Sequence, residues 1–388
     1  MERIYLDHAS LTPIDKRVIK EMRRYSSASF ANPSSIYKEG VAAKKALEEG
    51  RKRVAVFLGA HADEVVFTSG GTEANGLALE GAVRAANREG IAKPHLIIST
   101  IEHSSIMERA LMMEERGVCV TRLSVDATGL ISLDELKKAM TPQTLMVSIM
   151  AVNNEIGSIQ PIREIAKAVR HHRAHMAEGA AGTAGAGRRY PLFHTDAAQG
   201  ALYGELDVER LGVDMLTLDG GKICGPRGIG ALYLKRGTPI EPIAYGGGQE
   251  RGLRSGTEDL SAIMGFAEAL DIAQKGRDKE AARIQGLKRE FQDRLLEIRP
   301  DIKVNAPNSS HILSVSIPGI DNEFFVLQLD ARGIACSTKS SCLRDEDESY
   351  VLKAIGADSK ASIRLSFGRT TKKGDIKKAI LAISRILC

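Results

Sequence analysis

Tryptophan is absent from this chain, and aromatic residues fill only 4% of its 388 positions. A surface that stacks nucleic-acid bases draws on such rings, so direct nucleic-acid binding is not expected. Long apolar runs are missing too. No stretch is long enough to span a bilayer, and the opening Met1-Glu-Arg-Ile-Tyr-Leu-Asp7 lacks an apolar signal core. This predicts a cytoplasmic protein with no membrane partner. Cysteine is scarce: five residues, at 119, 224, 336, 342 and 388, none at metal-finger spacing. Cys336 and Cys342 lie too far apart in sequence for a tight metal pair, so no metal site is expected. The odd count suits a reducing compartment, with at least one thiol left for chemistry. Nor does one sign of charge dominate. A net +5 is mild at this length and favours anionic ligands without demanding a polyanion.

What is present is an ordinary globular composition, 43% hydrophobic and 27% charged, on a chain long enough for two cores. Strand patterns fall at 64–69, 95–100, 118–124, 145–152, 192–195, 213–218 and 230–234, the last two read as antiparallel. Helical periodicity covers 74–88, 104–116, 132–140 and 162–175 between them. Such alternation predicts an α/β fold: a large domain over 14–255 whose seven-stranded, mostly parallel sheet is covered by helices. Ligands in that architecture gather at the carboxyl ends of the strands. After Gly246-Gly-Gly248 the texture changes. Residues 259–298 are charged and helical in period, enough for a connecting helix pair, and shorter segments follow. Residues 1–13 and 256–388 are therefore expected to form a smaller α+β domain. The stretch 177–187, built of small residues, reads as an exposed flexible loop.

Several residues carry chemistry. Lys222 lies in Asp219-Gly-Gly-Lys-Ile-Cys-Gly-Pro-Arg-Gly228, directly after a strand pattern, and Asp196 ends the strand of Phe193-His-Thr-Asp196. Alone, Lys222 reads as a surface lysine in a glycine-rich turn. Paired with a strand-end carboxylate, it suits an aldehyde cofactor held as a Schiff base, with the acid keeping a pyridine nitrogen protonated. In Val65-Val-Phe-Thr-Ser-Gly-Gly-Thr-Glu-Ala74, a strand turns through Gly70 and Gly71 into a helix, aiming backbone N–H groups and the Thr72 hydroxyl at an anion. The lysine of a nucleotide-triphosphate loop is missing, so a single phosphate fits. His103, at a strand end, suits ring stacking or proton transfer, or simply a helix start. Asn154 either donates to a phenolic oxygen or shapes the turn before Gly157. Cys342, on a Ser-rich loop near Lys339 and Arg344, is a candidate nucleophile or an inert loop thiol. Arg364 is a charge inside a strand pattern and calls for a carboxylate partner, from protein or substrate.

With these residues in order, the chain resembles the cysteine desulfurases of the class V branch of fold-type I pyridoxal-phosphate enzymes. The likeness runs through Tyr5-Leu-Asp-His-Ala-Ser-Leu-Thr-Pro13, Asn32-Pro-Ser-Ser35, Thr68-Ser-Gly-Gly-Thr-Glu73 and Glu102-His103. It continues in Asn153-Asn-Glu-Ile-Gly157, Asp196-Ala-Ala-Gln199, the Lys222 segment, Gly246-Gly-Gly-Gln-Glu-Arg-Gly-Leu-Arg-Ser-Gly-Thr257, the Cys342 loop with Ser349-Tyr-Val-Leu352, and Ile363-Arg364. The resemblance implies pyridoxal 5'-phosphate on Lys222, with Asp196 at the pyridinium nitrogen, Gln199 and Asn154 at the phenolic oxygen, and His103 stacked on the ring. Gly71 and Thr72 would hold the phosphate, helped by Thr257 from a neighbouring copy in a homodimer. Arg364, with Asn154, would bind the substrate L-cysteine. Cys342 would take its sulfur as a persulfide, releasing alanine and passing sulfur to an acceptor protein such as an iron–sulfur scaffold or a tRNA-thiolation enzyme.

The same resemblance leaves open another class V activity, an aminotransferase, selenocysteine lyase or β-lyase, or a degenerate homologue without catalysis. This chain departs from the family where Asp219-Gly-Gly221 replaces the usual Ser-x-His before the lysine. Two donors to the phosphate are thereby lost, each worth about 1–3 kcal/mol. Weak retention of the cofactor is expected.

Overall fold

The computed structural model describes residues 3–27, 30–179, 189–306, 311–340 and 348–387. Along the chain these form β1 (Ile4–Tyr5), α1 (Lys16–Ser27), α2 (Lys38–Leu58), β2 (Val65–Thr68), α3 (Gly71–Arg88), β3 (His95–Ser99), α4 (Ser104–Glu115) and β4 (Cys119–Leu123). Next come α5 (Leu133–Ala139), β5 (Thr144–Ser148), α6 (Ile162–Gly179), β6 (Leu192–Asp196), α7 (Val208–Leu211), β7 (Met215–Asp219) and β8 (Gly230–Leu234). The remainder is α8 (Leu260–Ile298), β9 (Lys303–Val304), β10 (Ile312–Ser316), α9 (Asn322–Ala331), β11 (Ile334–Ala335), α10 (Tyr350–Ala354), β12 (Ser362–Ser366) and α11 (Lys373–Leu387).

Seven strands build one sheet in the order β2-β8-β7-β6-β5-β3-β4. All are parallel except β8, which runs antiparallel to both β7 and β2. The α/β fold expected from the alternating pattern is thus present, with the 213–218 and 230–234 segments paired antiparallel. Alternation along each strand builds a first core in two layers, one on each face of the sheet. Ile97, Val147, Phe67 and Ala231 join α2, α6 and the first half of α8 on one face, while Leu96, Ile98, Met146, Val66 and Leu232 meet α3 and α4 on the other. The 5-residue strands are buried on both faces, as parallel strands between helical layers must be.

A second core gathers β10, β12, α9, α11 and the far half of α8, with Ile4 and Leu6 of the N-terminal segment. Its sheet has the order β12-β10-β9, and β1 pairs in parallel with β11 beside it. The expected helix pair over 259–298 is instead one continuous 39-residue helix. Its glycines, Gly265, Gly276 and Gly286, are accommodated within the helix rather than breaking it. Leu260–Ala273 packs on the first core and Ile284–Leu295 on the second, so α8 threads both packing units. The 177–187 loop and the Cys342 loop fall almost wholly outside the described residues.

Candidate active site

The parallel strands β3, β5, β6 and β7 end on the same side of the sheet. Just beyond those ends lies a cavity of about 200 Å³, lined by His103, Asn154, Asp196, Gln199 and Lys222. Gly71, Thr72 and Arg364 share the same lining, as do Ser10, Asn75, Asp219 and Ser340. Nine of the residues singled out in sequence are described, and eight of them converge here. Thr257, the ninth, is exposed and does not line this cavity of its own chain. Cys342 lies outside the described residues, although Ser340, two positions earlier, lines the cavity.

Asp196 is the last residue of β6 and is mostly buried. Its Oδ2 accepts from Asn75 Nδ2 at 2.7 Å and its Oδ1 from the Ala198 amide at 3.0 Å. Asn75 also donates to Ser105 Oγ at 2.9 Å. Sequence reading missed Asn75. The available signal was its position three residues after Thr72 on α3, which puts both side chains on one helical face. His103 caps α4, its Nδ1 accepting from the Ser105 amide at 3.2 Å, and it also lines the cavity. Beneath it, Glu102 is fully buried. Ser99 Oγ donates to it at 2.5 Å and the Met150 amide at 3.1 Å, yet burial still pushes its carboxyl up to about 8.

Lys222 follows β7 in a short helical turn. Its Nζ donates to the carbonyl oxygens of Ser10 at 2.5 Å and Ala9 at 3.3 Å. Gln199 Nε2 donates to the same Ala9 carbonyl at 2.8 Å, so the N-terminal segment joins both polar ends of the cleft. Asn153 Oδ1 accepts from the amides of Glu155 and Ile156 and shapes the turn, which leaves Asn154 to face the cavity. Arg364, on β12, is 2% exposed. Its guanidinium donates to Asp7 Oδ1 at 2.8 Å, Ser10 Oγ at 2.6 Å and the Asn154 carbonyl at 2.8 Å. In the sequence Asp7 stands only within a motif, and its part as the arginine's partner emerges from tertiary structure.

The flanks of the Cys342 loop are tied to the cleft floor. Glu155 accepts from Ser349 Oγ at 2.6 Å and interacts with the Ser340 backbone, while burial raises its pKa. Tyr350 Oη donates to the Glu102 carbonyl at 2.5 Å. Cys336 packs against the second core and burial pushes its thiol up to about 12, which removes the thiolate a nucleophile needs.

At the other end, the amide of Gly71 at the start of α3 donates to Asp219 Oδ2 at 2.9 Å, and the Gly221 amide donates to Asp219 Oδ1 at 2.8 Å. Gly230 permits this approach, because a Cβ there would sit 2.6 Å from the Leu218 carbonyl and 2.8 Å from the backbone of Gly70.

The donor set fits a pyridoxal phosphate ring. An amine, a carboxylate at a strand end and an imidazole share one cleft, and two buried wall atoms, Asn75 Oδ1 and Arg364 Nε, have no protein partner. The whole chain has relatives of that kind. Residues 4–379 match the family described as Aminotransferase class-V. The cysteine desulfurase IscS of Dictyoglomus turgidum is 36% identical over 391 residues, covering 99% of this chain and 94% of the relative. A putative cysteine desulfurase, IscS 1 of Bacillus subtilis, is 35% identical over 100% of this chain and 99% of its own. Among solved structures, a NifS-like protein superposes with a TM-score of 0.89 at 30% identity, covering 99% of each chain. The chain belongs to the class V aminotransferase family, among the pyridoxal-phosphate-dependent cysteine desulfurases.

Proposed function

We propose that the protein converts L-cysteine to L-alanine and retains the sulfur as a persulfide on Cys342. The observation that carries this reading is the shared cleft of Lys222, Asp196 and the buried Arg364. Arg364, held by Asp7 and Ser10, presents its guanidinium to the substrate carboxylate. When bound, pyridoxal phosphate supplies an electron sink next to the substrate's α-carbon. Asp196, tied by Asn75 and the Ala198 amide, keeps the ring nitrogen protonated, and His103 covers the ring face. Lys222 moves protons at the substrate carbons. Cys342 attacks as a thiolate: the cysteine C–S bond breaks, an S–S bond forms on the enzyme, and the carbon left behind takes a proton to give alanine.

The same reading makes the protein a homodimer, supported by the exposed apolar side chains Ile36, Tyr37 and Tyr245 and by the exposure of Thr257, which a partner would bring to the phosphate. The persulfide is handed to an acceptor protein, an iron–sulfur scaffold or a tRNA-thiolation enzyme, in the cytoplasm. Among the described residues no helix is long and apolar enough to cross a membrane.

The test is incubation of the cofactor-loaded protein with cysteine under a reductant, scoring alanine and sulfide together. Cys342→Ala should lower both by about a hundredfold or more while keeping the visible band of bound cofactor. Wild-type rates in Cys342→Ala would overturn the assignment.

A further inference from the structure

The phosphate end of the cleft already contains an anion. Asp219 Oδ2 accepts from the first amide of α3, the 2.9 Å bond to Gly71, and its Oδ1 accepts at 2.8 Å from Gly221, next to Lys222. The carboxylate therefore spans two backbone segments, the helix start that would face a phosphate and the turn that carries the lysine. A Cβ on Gly70 or Gly71 would lie 3.3 or 3.4 Å from Asp219 Oδ2, which shows how closely the side chain is seated in that turn. Elsewhere among the lining residues two buried side-chain atoms, Asn75 Oδ1 and Arg364 Nε, have no hydrogen-bond partner in the protein, on residues 1% and 2% exposed. At the start of α3, by contrast, a carboxylate takes the first backbone donor. Neighbouring charge is engaged too: Glu73 accepts from the Ser69 amide at 2.5 Å and from Arg254 at 3.0 Å.

We propose that Asp219 is an intramolecular stand-in for the cofactor phosphate, so that pyridoxal phosphate binds in competition with it and is held reversibly. One amide cannot serve both anions, and a phosphate near the carboxylate meets like charge, so binding requires Asp219 to give up Gly71. The cofactor-free protein in turn gains the two backbone bonds that Asp219 supplies. The consequence is an enzyme whose loading follows the supply of free cofactor. The inference rests on the cleft being the pyridoxal phosphate site.

Two cofactor forms separate this competition from a general packing role. Pyridoxal, which has no phosphate, does not need Gly71. Asp219→Ser should tighten pyridoxal phosphate about tenfold or more in a spectroscopic titration, and leave pyridoxal within about twofold. The cofactor-free Asp219→Ser protein should also melt roughly 2 °C or more below wild type, because one short hydroxyl cannot bridge the two amides that the carboxylate joins. Asp219→Asn, which keeps an acceptor oxygen but no charge, should fall between, and it decides the matter if the serine variant does not fold. An unchanged ratio of the two affinities in the folded variants overturns the proposal, and does so even if wild type makes alanine from cysteine. Failure of every form to bind either vitamer overturns the proposal together with the cofactor reading.

Discussion

Arg364 shows how a single residue is made specific by its surroundings. Burial of a guanidinium is tolerable because Asp7 neutralises it and Ser10 and the Asn154 carbonyl take up its N–H groups. The same contacts fix the fork, so on the proposed reading a substrate carboxylate would meet a group already aligned. A lysine offers a point charge without that geometry. Arg364→Lys should therefore raise KM for cysteine by about tenfold to a hundredfold, the equivalent of a lost bond of about 1.5–3 kcal/mol to a charged group. Steady-state kinetics on the cofactor-saturated variant measure it. An unchanged KM would remove Arg364 from the substrate site.

At the scale of elements, helix termini and strand ends do most of the positioning. Gly212 and Gly59, both with positive φ, end α7 and α2 and return the chain toward the sheet. Arg51 of α2 forms a two-pronged buried pair with Glu250, 2.7 Å on each prong, and Glu250 also accepts from the Phe67 amide of β2. That pair fastens the 246–257 segment to the strand that leads into the Gly70-Gly71 turn. Helix α8 spans about 58 Å at 1.5 Å per residue, and it links the two cores. Gly286 lies exposed in its interior with open space where a Cβ would go. Gly286→Ala should stabilise the protein by about 0.5–1 kcal/mol by restricting the unfolded chain. Urea denaturation reads this directly, and destabilisation would mean that the helix bends there in solution.

For the whole molecule, buried titratable groups set opposing pH dependences. His8, His194 and His311 are pushed down by burial to about 4, 3 and 3. They stay neutral in the fold, so their contribution is complete above their ordinary value near 6.5 and is lost as pH falls toward those lower values. Glu102 works the other way. Its folded value of about 8 lies above the ordinary carboxyl range, with burial the main cause and Asp196 adding to it. The fold therefore holds that proton more tightly, and its contribution is present at low pH and is lost as pH rises toward that value. Glu102→Gln, which cannot ionise, should gain about 2 kcal/mol relative to wild type between about pH 6 and about pH 8. Denaturation curves at the two pH values decide it, and parallel behaviour of the two proteins would mean that Glu102 is already charged.

Sequence alone determined the alternation of strands and helices, because burial on both faces leaves apolar runs of strand length between helical periods. It also placed His103, Asn154, Asp196 and Lys222 near strand ends, since each lies within a few residues of the end of such a run. Only the tertiary structure decided that α8 continues through its glycines, because packing against two cores outweighs local helix propensity. Only it joined Asn75 to Asp196, Asp7 to Arg364 and Asp219 to Gly71, pairs 121, 357 and 148 residues apart in sequence. A side-chain hydrogen bond depends on a direction and a distance of about 3 Å. Chain periodicity carries neither across that separation; the sheet order supplies both.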